Sequence, residues 1–195
     1  MIEVNRDLRP VEAFRRDLLQ SGAGAPGYAE LCVTSNFTFL TGASHPEELI
    51  ARAAELGLEA IAITDRNSLA GVVRAFSALK ELRREAEEAI RIRSQCRTDS
   101  CSRQELGNAQ GISRPSVPKL PRLIIGCRLV LRDSPVDWIA LPRDRAAYQR
   151  LTRLLSLGKR RAGKGECHLD MADMLRSCTG MILIALPRAG VEVAE

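Results

Sequence analysis

Four short apolar runs limit the fold of this chain more than any other feature: Glu59 to Thr64 (EAIAIT), Leu123 to Leu131 (LIIGCRLVL), Asp137 to Leu141 (DWIAL) and Met181 to Leu186 (MILIAL). Continuous apolar runs of this length, rich in Ile, Leu and Val, read as buried β-strands. Ala29 to Thr34 reads as a further short strand. Helical patterns separate several of these strands. Repeated strand-then-helix units predict an α/β fold built on a parallel sheet or an α/β barrel.

The helices carry their own boundary signals. In Ser44 to Gly57 (SHPEELIARAAELG), Ser44 with Glu47 matches a capping box, Pro46 sits in the first turn and Gly57 supplies a stop. Leu49, Ile50, Ala53 and Leu56 give that helix one apolar face. Ser68 can cap a long helix running from Leu69 to Arg93. Asp144 can cap another, whose Tyr148, Leu151, Leu154 and Leu155 form a core stripe while Arg145, Gln149, Arg153 and Arg160 project elsewhere. A short helix is expected over Asp170 to Leu175.

Residues 28–187 are expected to belong to one domain, and a polar stretch at 94–121 with three prolines and no sustained period divides the chain without necessarily dividing that domain. That stretch reads as a surface insertion or disordered loop. Residues 1–27 read as a lead-in, with a short helix over Pro10 to Gln20 and a flexible SGAGAPG after it, and 188–195 as a tail.

Composition excludes some classes. With 45% hydrophobic and 27% charged residues the chain is ordinary for a globular protein. No run approaches the ~20 apolar residues a membrane helix needs. The N-terminus is charged too early for a signal peptide, which predicts a cytoplasmic protein. The six cysteines then read as reduced thiols, not a disulfide framework. The net charge of +5 arises beyond residue 80, compatible with an anionic partner such as DNA or with a solvated basic surface.

Function is expected where strands end, because α/β barrels gather side chains from the C-terminal ends of their strands at one mouth. Cys32 and Thr34 end the first strand, and alternation sends both to one face. Asp65 and Arg66 end the next, and Arg128 lies on the third. A metal site there would want His and carboxylate ligands.

These segments resemble the PHP (polymerase and histidinol phosphatase) domain of bacterial C-family DNA polymerases. Where that family usually reads HxHS and then YSLLDG, this chain has Cys32-Val33-Thr34-Ser35 and then Phe37-Thr38-Phe39-Leu40-Thr41-Gly42. The family's ITDH is here Ile63-Thr64-Asp65-Arg66, followed by the matching Asn67-Ser68-Leu69 and Gly71, and its IIGCE is Ile124-Ile125-Gly126-Cys127-Arg128. Residues 148–156 (YQRLTRLLS) resemble its YxNLxxLxS helix. The stretches ELCVTSNFTFLTGASHPEEL, LPRLIIGCRLVLRD and LGKRRAGKGECHL are most similar to the error-prone paralogue of the DNA polymerase III alpha subunit.

The resemblance implies a PHP-type distorted (β/α)7 barrel, incomplete in this chain and so marginally stable or prone to aggregate, and a parent that copies DNA across lesions. It also implies the positions of a metal site, of which little is left. The two family histidines are Cys32 and Thr34, the TDH histidine is Arg66, the GCE glutamate is Arg128, and Asp65 alone persists. Two guanidinium groups beside one thiol and one carboxylate make a poor site for a divalent ion, so no metal, cofactor or catalytic residue is expected in this chain. Arg66 and Arg128 either pair with Asp65 or extend to solvent.

Lesser candidates are a zinc site from Cys96, Cys101, Cys167 and His168, and His45, for which helix initiation outweighs catalysis. Lys159, Arg160, Arg161 and Lys164 form a basic cluster suited to DNA phosphates. Nothing resembles the polymerase palm, whose carboxylates bind Mg2+ in the family, which suggests an N-terminal piece, truncated by a frameshift or early stop. The partners implied are the rest of the polymerase chain, DNA through the parent, and a sliding clamp, mutagenesis accessory proteins or a proofreading exonuclease; no membrane is expected. A metal-dependent PHP phosphoesterase and a basic nucleic-acid-binding module are the alternatives.

Overall fold

The computed structural model of this chain describes residues 27–99 and 120–188. Ten elements follow in order: β1 (Ala29–Val33), α1 (Pro46–Glu55), β2 (Ala60–Ile63), α2 (Ala70–Asp99), β3 (Arg122–Ile125), β4 (Cys127–Leu129), β5 (Val136–Pro142), α3 (Arg145–Arg161), α4 (Met171–Ser177) and β6 (Met181–Pro187). The expectations for the lead-in, for the tail beyond Arg188 and for residues 100–119 lie outside the described residues. Helix α2 runs through Asp99 and so occupies the start of the stretch expected to be an insertion from Ser94.

The first half is a parallel β/α unit. Strands β1, β2 and β3 form one sheet in that order, all parallel, with α1 and α2 as the crossovers. Every residue of β2 is buried, as expected of a central strand covered on both faces. Ile50 and Ala53 of α1 pack with Ile61 and Ile63 of β2 and with Ala75 and Leu79 of α2.

The second half is antiparallel. Strands β4, β5 and β6 form a sheet in that order, backed by Leu151, Leu154 and Leu155 of α3 and Met174 of α4. The expected single strand over Leu123 to Leu131 is therefore two, and the break is Gly126. A Cβ there would fall 2.6 Å from Leu141 Cδ2 and 2.7 Å from Thr64 Cγ2, so only glycine lets the chain pass from one sheet to the other at this spacing. Among the described residues the strands form two three-stranded sheets, and no barrel closes. None of the described helices is long and apolar enough to cross a membrane.

Helix starts follow the sequence closely, with one shift. Asp144 caps α3, its carboxylate accepting from Ala147 N at 2.7 Å, and Ser68 Oγ accepts from Ala70 N at 3.1 Å at the start of α2. The cap of α1 is His45, not Ser44, and Glu48 accepts from His45 N at 2.9 Å. Proline settles this register. Pro46 occupies the first helical position, which makes the preceding residue the cap.

Candidate functional site

The loop after β1, the loop after β2 and strand β4 meet at one place. Thr64 N donates to Val33 O at 2.7 Å, Arg128 N to Asp65 O at 3.1 Å and Asn67 N to Arg128 O at 2.9 Å. An isolated parallel bridge pairs Arg66 with Arg128 and so joins the two sheets. Asn67 is held in a left-handed conformation (φ 46°), and its side chain accepts from Val130 N and donates to Val130 O. An amide side chain tolerates this backbone and fills both bonds locally.

Asp65 lies at the floor of this junction, 1% exposed. Its Oδ1 accepts from Ser35 N at 2.8 Å and from Thr38 Oγ1 at 2.9 Å, and Ser35 Oγ lies 2.8 Å from Oδ2. Thr38 Oγ1 in turn accepts from Arg66 N at 3.0 Å. These bonds, and not a guanidinium, satisfy the buried carboxylate. The expected pairing of Asp65 with Arg66 and Arg128 is thus not formed. Ser35 and Thr38 are delivered by a tight turn, in which Thr38 N donates to Ser35 O and Gly42 N to Thr38 O. At Gly42 a Cβ would meet Ser35 O at 2.0 Å.

Arg128 has a different partner. Its Nε and Nη2 lie 2.8 and 2.7 Å from Oδ2 of Asp137, while Arg188 Nε donates to Oδ1 at 2.8 Å. Asp137 is nearly buried. Burial alone would raise its pKa, but the hydrogen bonds from Arg188 and Arg128 outweigh this and hold it below the ordinary carboxylate value. Arg66 is exposed and pairs with no carboxylate among the described residues.

Beside Thr38, which holds Asp65, opens a cleft of about 420 Å³. Thr34, Thr38 and Thr41 line one side, and Arg66, Arg128 and Arg188 supply its charge, with Asp137 between the last two. Cys32 is exposed and lies outside the cleft lining. The pairing of β1 with β2 is irregular between Glu30 and Val33, so simple alternation does not bring Cys32 and Thr34 to the same wall.

The residues at the positions where the resemblance implies a metal site therefore do not fit a divalent cation. Asp65 turns its oxygens toward Ser35 and Thr38, and the remaining positions offer a hydroxyl and two guanidinium groups. Among the described residues no three His, Cys, Asp or Glu side chains are grouped as metal ligands. Of the expected zinc candidates, His168 Nε2 sits 3.3 Å from Glu166 and Cys167 is half-buried. The side chains of Cys96 and Cys101 lie outside the described residues. Asn36 Nδ2 lies 2.8 Å from His45 Nδ1, consistent with a structural histidine at the start of α1.

The basic cluster at the end of α3 divides. All four side chains are exposed, but Lys159, Arg160 and Lys164 have no carboxylate partner among the described residues, whereas Arg161 Nη1 lies 2.5 Å from buried Asp173, which Arg176 also contacts at 2.9 Å. Hydrogen bonding from Arg161 is the largest influence on Asp173 and lowers its pKa.

Sequence reasoning missed Asp137 and Arg188 as parts of the site. In the sequence Asp137 reads only as the start of a strand, although a lone aspartate opening an apolar run calls for a partner. Arg188 carried no signal, because β6 alone brings it back to the cleft.

The PHP domain family matches residues 30–191. An error-prone DNA polymerase of Ruegeria pomeroyi is 80% identical over 167 residues, which make up 86% of this chain and 15% of that protein. One from Rhodopseudomonas palustris is 46% identical over 162 residues, 83% of this chain and 12% of its own length. One from Brucella abortus is 45% identical over 149 residues, 76% of this chain and 11% of its own. The chain thus spans no more than 15% of the length of these relatives. A crystal structure described as a candidate metal-dependent phosphoesterase of Bifidobacterium adolescentis is similar with a TM-score of 0.42 and 16% identity, over 71% of this chain and 35% of that one.

Proposed function

The chain belongs to the PHP domain family, and from that membership we propose that it is the PHP portion of an error-prone DNA polymerase, structural in role and without metal-dependent hydrolysis of its own. The parent would carry out template-directed synthesis across damaged DNA, with Mg2+ held in its palm domain. The 80% identity to a protein named error-prone DNA polymerase supports the parentage. The occupied carboxylate of Asp65 carries the structural role. A family site that activates water needs free ligand oxygens beside the metal, and here Ser35 and Thr38 engage the one retained carboxylate while arginine stands at two ligand positions.

On this reading the first partner is the rest of the polymerase chain, and the protein acts in the cytoplasm where its DNA lies. Exposed Lys159, Arg160 and Lys164 support an added contact with DNA phosphates.

Two measurements test the reading. The purified chain, assayed for bound metal and for phosphoesterase turnover with added manganese, is expected to show neither. Stoichiometric, tightly held zinc or manganese together with turnover would overturn the structural role. The same segment joined to the remainder of a polymerase is expected to extend a primer past a template lesion, and failure of that joined protein to extend any primer would overturn the parentage.

A further inference from the structure

The cleft beside Thr38 has the chemistry of an anion site. Its three guanidinium groups come from three separate segments: Arg66 from the loop after β2, Arg128 from β4 and Arg188 from the end of β6. Against them stand Asp137, shared between Arg128 and Arg188, and Asp65, buried and held by Ser35 and Thr38. Three positive groups face two negative ones, so the site repels a cation and retains positive potential for an anion.

The arrangement is also preorganised. Asp137 fixes Arg128 and Arg188 side by side, and Leu131 O accepts a further bond from Arg188 Nη2 at 3.2 Å. The backbone at Arg66 is pinned by Thr38 Oγ1 and by the bridge to Arg128, while its side chain has no carboxylate partner among the described residues. Thr38 is committed to Asp65, but Thr34 and Thr41 also line the same cleft. Guanidinium forks with hydroxyls beside them match the oxygens of a tetrahedral oxyanion, and ordering them beforehand lowers the cost of binding. A cleft of about 420 Å³ has room for a phosphate together with the group that bears it.

We propose that this cleft binds a phosphate group without any metal, held by Arg66, Arg128 and Arg188 with Thr34 and Thr41, and that it binds without hydrolysing. This rests on the reading that the family's metal site is lost. The phosphate could belong to a free anion or to the end of a nucleic-acid strand, and the chemistry that recognises it is the same.

The test is calorimetric titration of the chelator-treated full chain with inorganic phosphate at fixed ionic strength. Saturable binding at one site is expected, weakened at least tenfold by Arg66→Gln, partly kept by Arg66→Lys and unchanged by Arg153→Gln on exposed α3 surface. Because Arg66 is exposed, its variants are expected to melt like the unaltered protein, and a melting curve checks this. Displacement of phosphate by a 5′-phosphorylated oligonucleotide, but not by its 5′-hydroxyl counterpart, assigns the group to a strand end; displacement by neither assigns it to a free anion.

Absence of saturable binding, or equal binding by Arg66→Gln, overturns the proposal. If neither chelator-treated nor manganese-supplemented protein binds phosphate and no metal is retained, the anion site fails while the lost metal site stands. If phosphate binds only with manganese, both fail.

Discussion

Ser35 engages both carboxylate oxygens of Asp65: its Oγ lies 3.0 Å from Oδ1 and 2.8 Å from Oδ2, and its backbone N donates to Oδ1 at 2.8 Å. Both residues are buried. That carboxylate is thereby a fastening between the loop after β1 and the end of β2.

Removing that fastening from the acceptor side should cost stability. Asp65→Ala leaves the Ser35 amide and the Ser35 and Thr38 hydroxyls buried without their acceptor, and orphaned buried donors cost about 1–3 kcal/mol each before relaxation. A loss of roughly 3 kcal/mol in urea unfolding is expected, since water entering the gap offsets part of the sum. Asp65→Asn, which keeps one acceptor oxygen, should lose less. Equal stability of Asp65→Ala and the unaltered protein would contradict the assigned role.

Gly71 tests the same contact from the opposite side. A Cβ at this position would fall 2.6 Å from Asp65 Oδ2 and 3.0 Å from Ser35 Oγ. Helix propensity alone predicts that Gly71→Ala stabilises α2 by about 1 kcal/mol. Crowding of a buried, fully bonded carboxylate opposes this and, at about 1–3 kcal/mol for overpacking, should win. Gly71→Ala is therefore expected to lower the melting temperature, and combining it with Asp65→Ala should cost less than the sum of the two.

Much of this was legible in the sequence, and the parts that were not share a cause. The apolar runs marked the strands because burial of β2 leaves no polar position in it, and Asp144 marked the start of α3 because only its own neighbours are needed for a cap. The convergence of Thr34, Arg66 and Arg128 on one cleft followed from strand ends meeting, although Cys32, read together with them, lies outside it. The choice of ion-pair partners did not. Arg188 reaches Asp137 across 51 positions of sequence, and only the antiparallel pairing of β5 with β6 sets that distance. Ser35 and Thr38 reach Asp65 through a turn containing Leu40 at φ 63°, which no periodicity announces. A β-sheet switch at Gly126 was likewise hidden inside an unbroken apolar run.

Asp137 sets a dependence of stability on pH. Its pKa is lowered in the folded state by Arg188 and Arg128 in spite of burial, so the folded protein favours its ionised form. A depressed folded pKa contributes stability above the unfolded value, about 3.9 for aspartate, and that contribution is lost as pH falls through the folded one. The stability difference between the unaltered protein and Asp137→Asn should accordingly be full near pH 6 and shrink as pH falls below about 4. Chemical denaturation of both proteins across this range checks it. A difference that grows on acidification would reverse the assignment.

The basic cluster at the end of α3 should separate into two kinds of residue. Arg161 Nη1 is held at 2.5 Å by buried Asp173, whereas Lys159, Arg160 and Lys164 have no carboxylate partner among the described residues. Neutralising a phosphate-contacting cation weakens DNA binding and lowers its salt dependence by about one unit of slope per contact. Lys159→Gln, Arg160→Gln and Lys164→Gln together should therefore reduce affinity for single-stranded DNA and flatten its salt dependence while leaving the melting temperature nearly unchanged. Arg161→Gln should do the reverse, lowering the melting temperature with little effect on the salt slope, because it leaves Asp173 with Arg176 as its remaining partner. Anisotropy titrations at several salt concentrations, paired with melting curves, distinguish the two. A common response of the two variants would show that the cluster is one surface and that the Arg161–Asp173 pair does not set Arg161 apart.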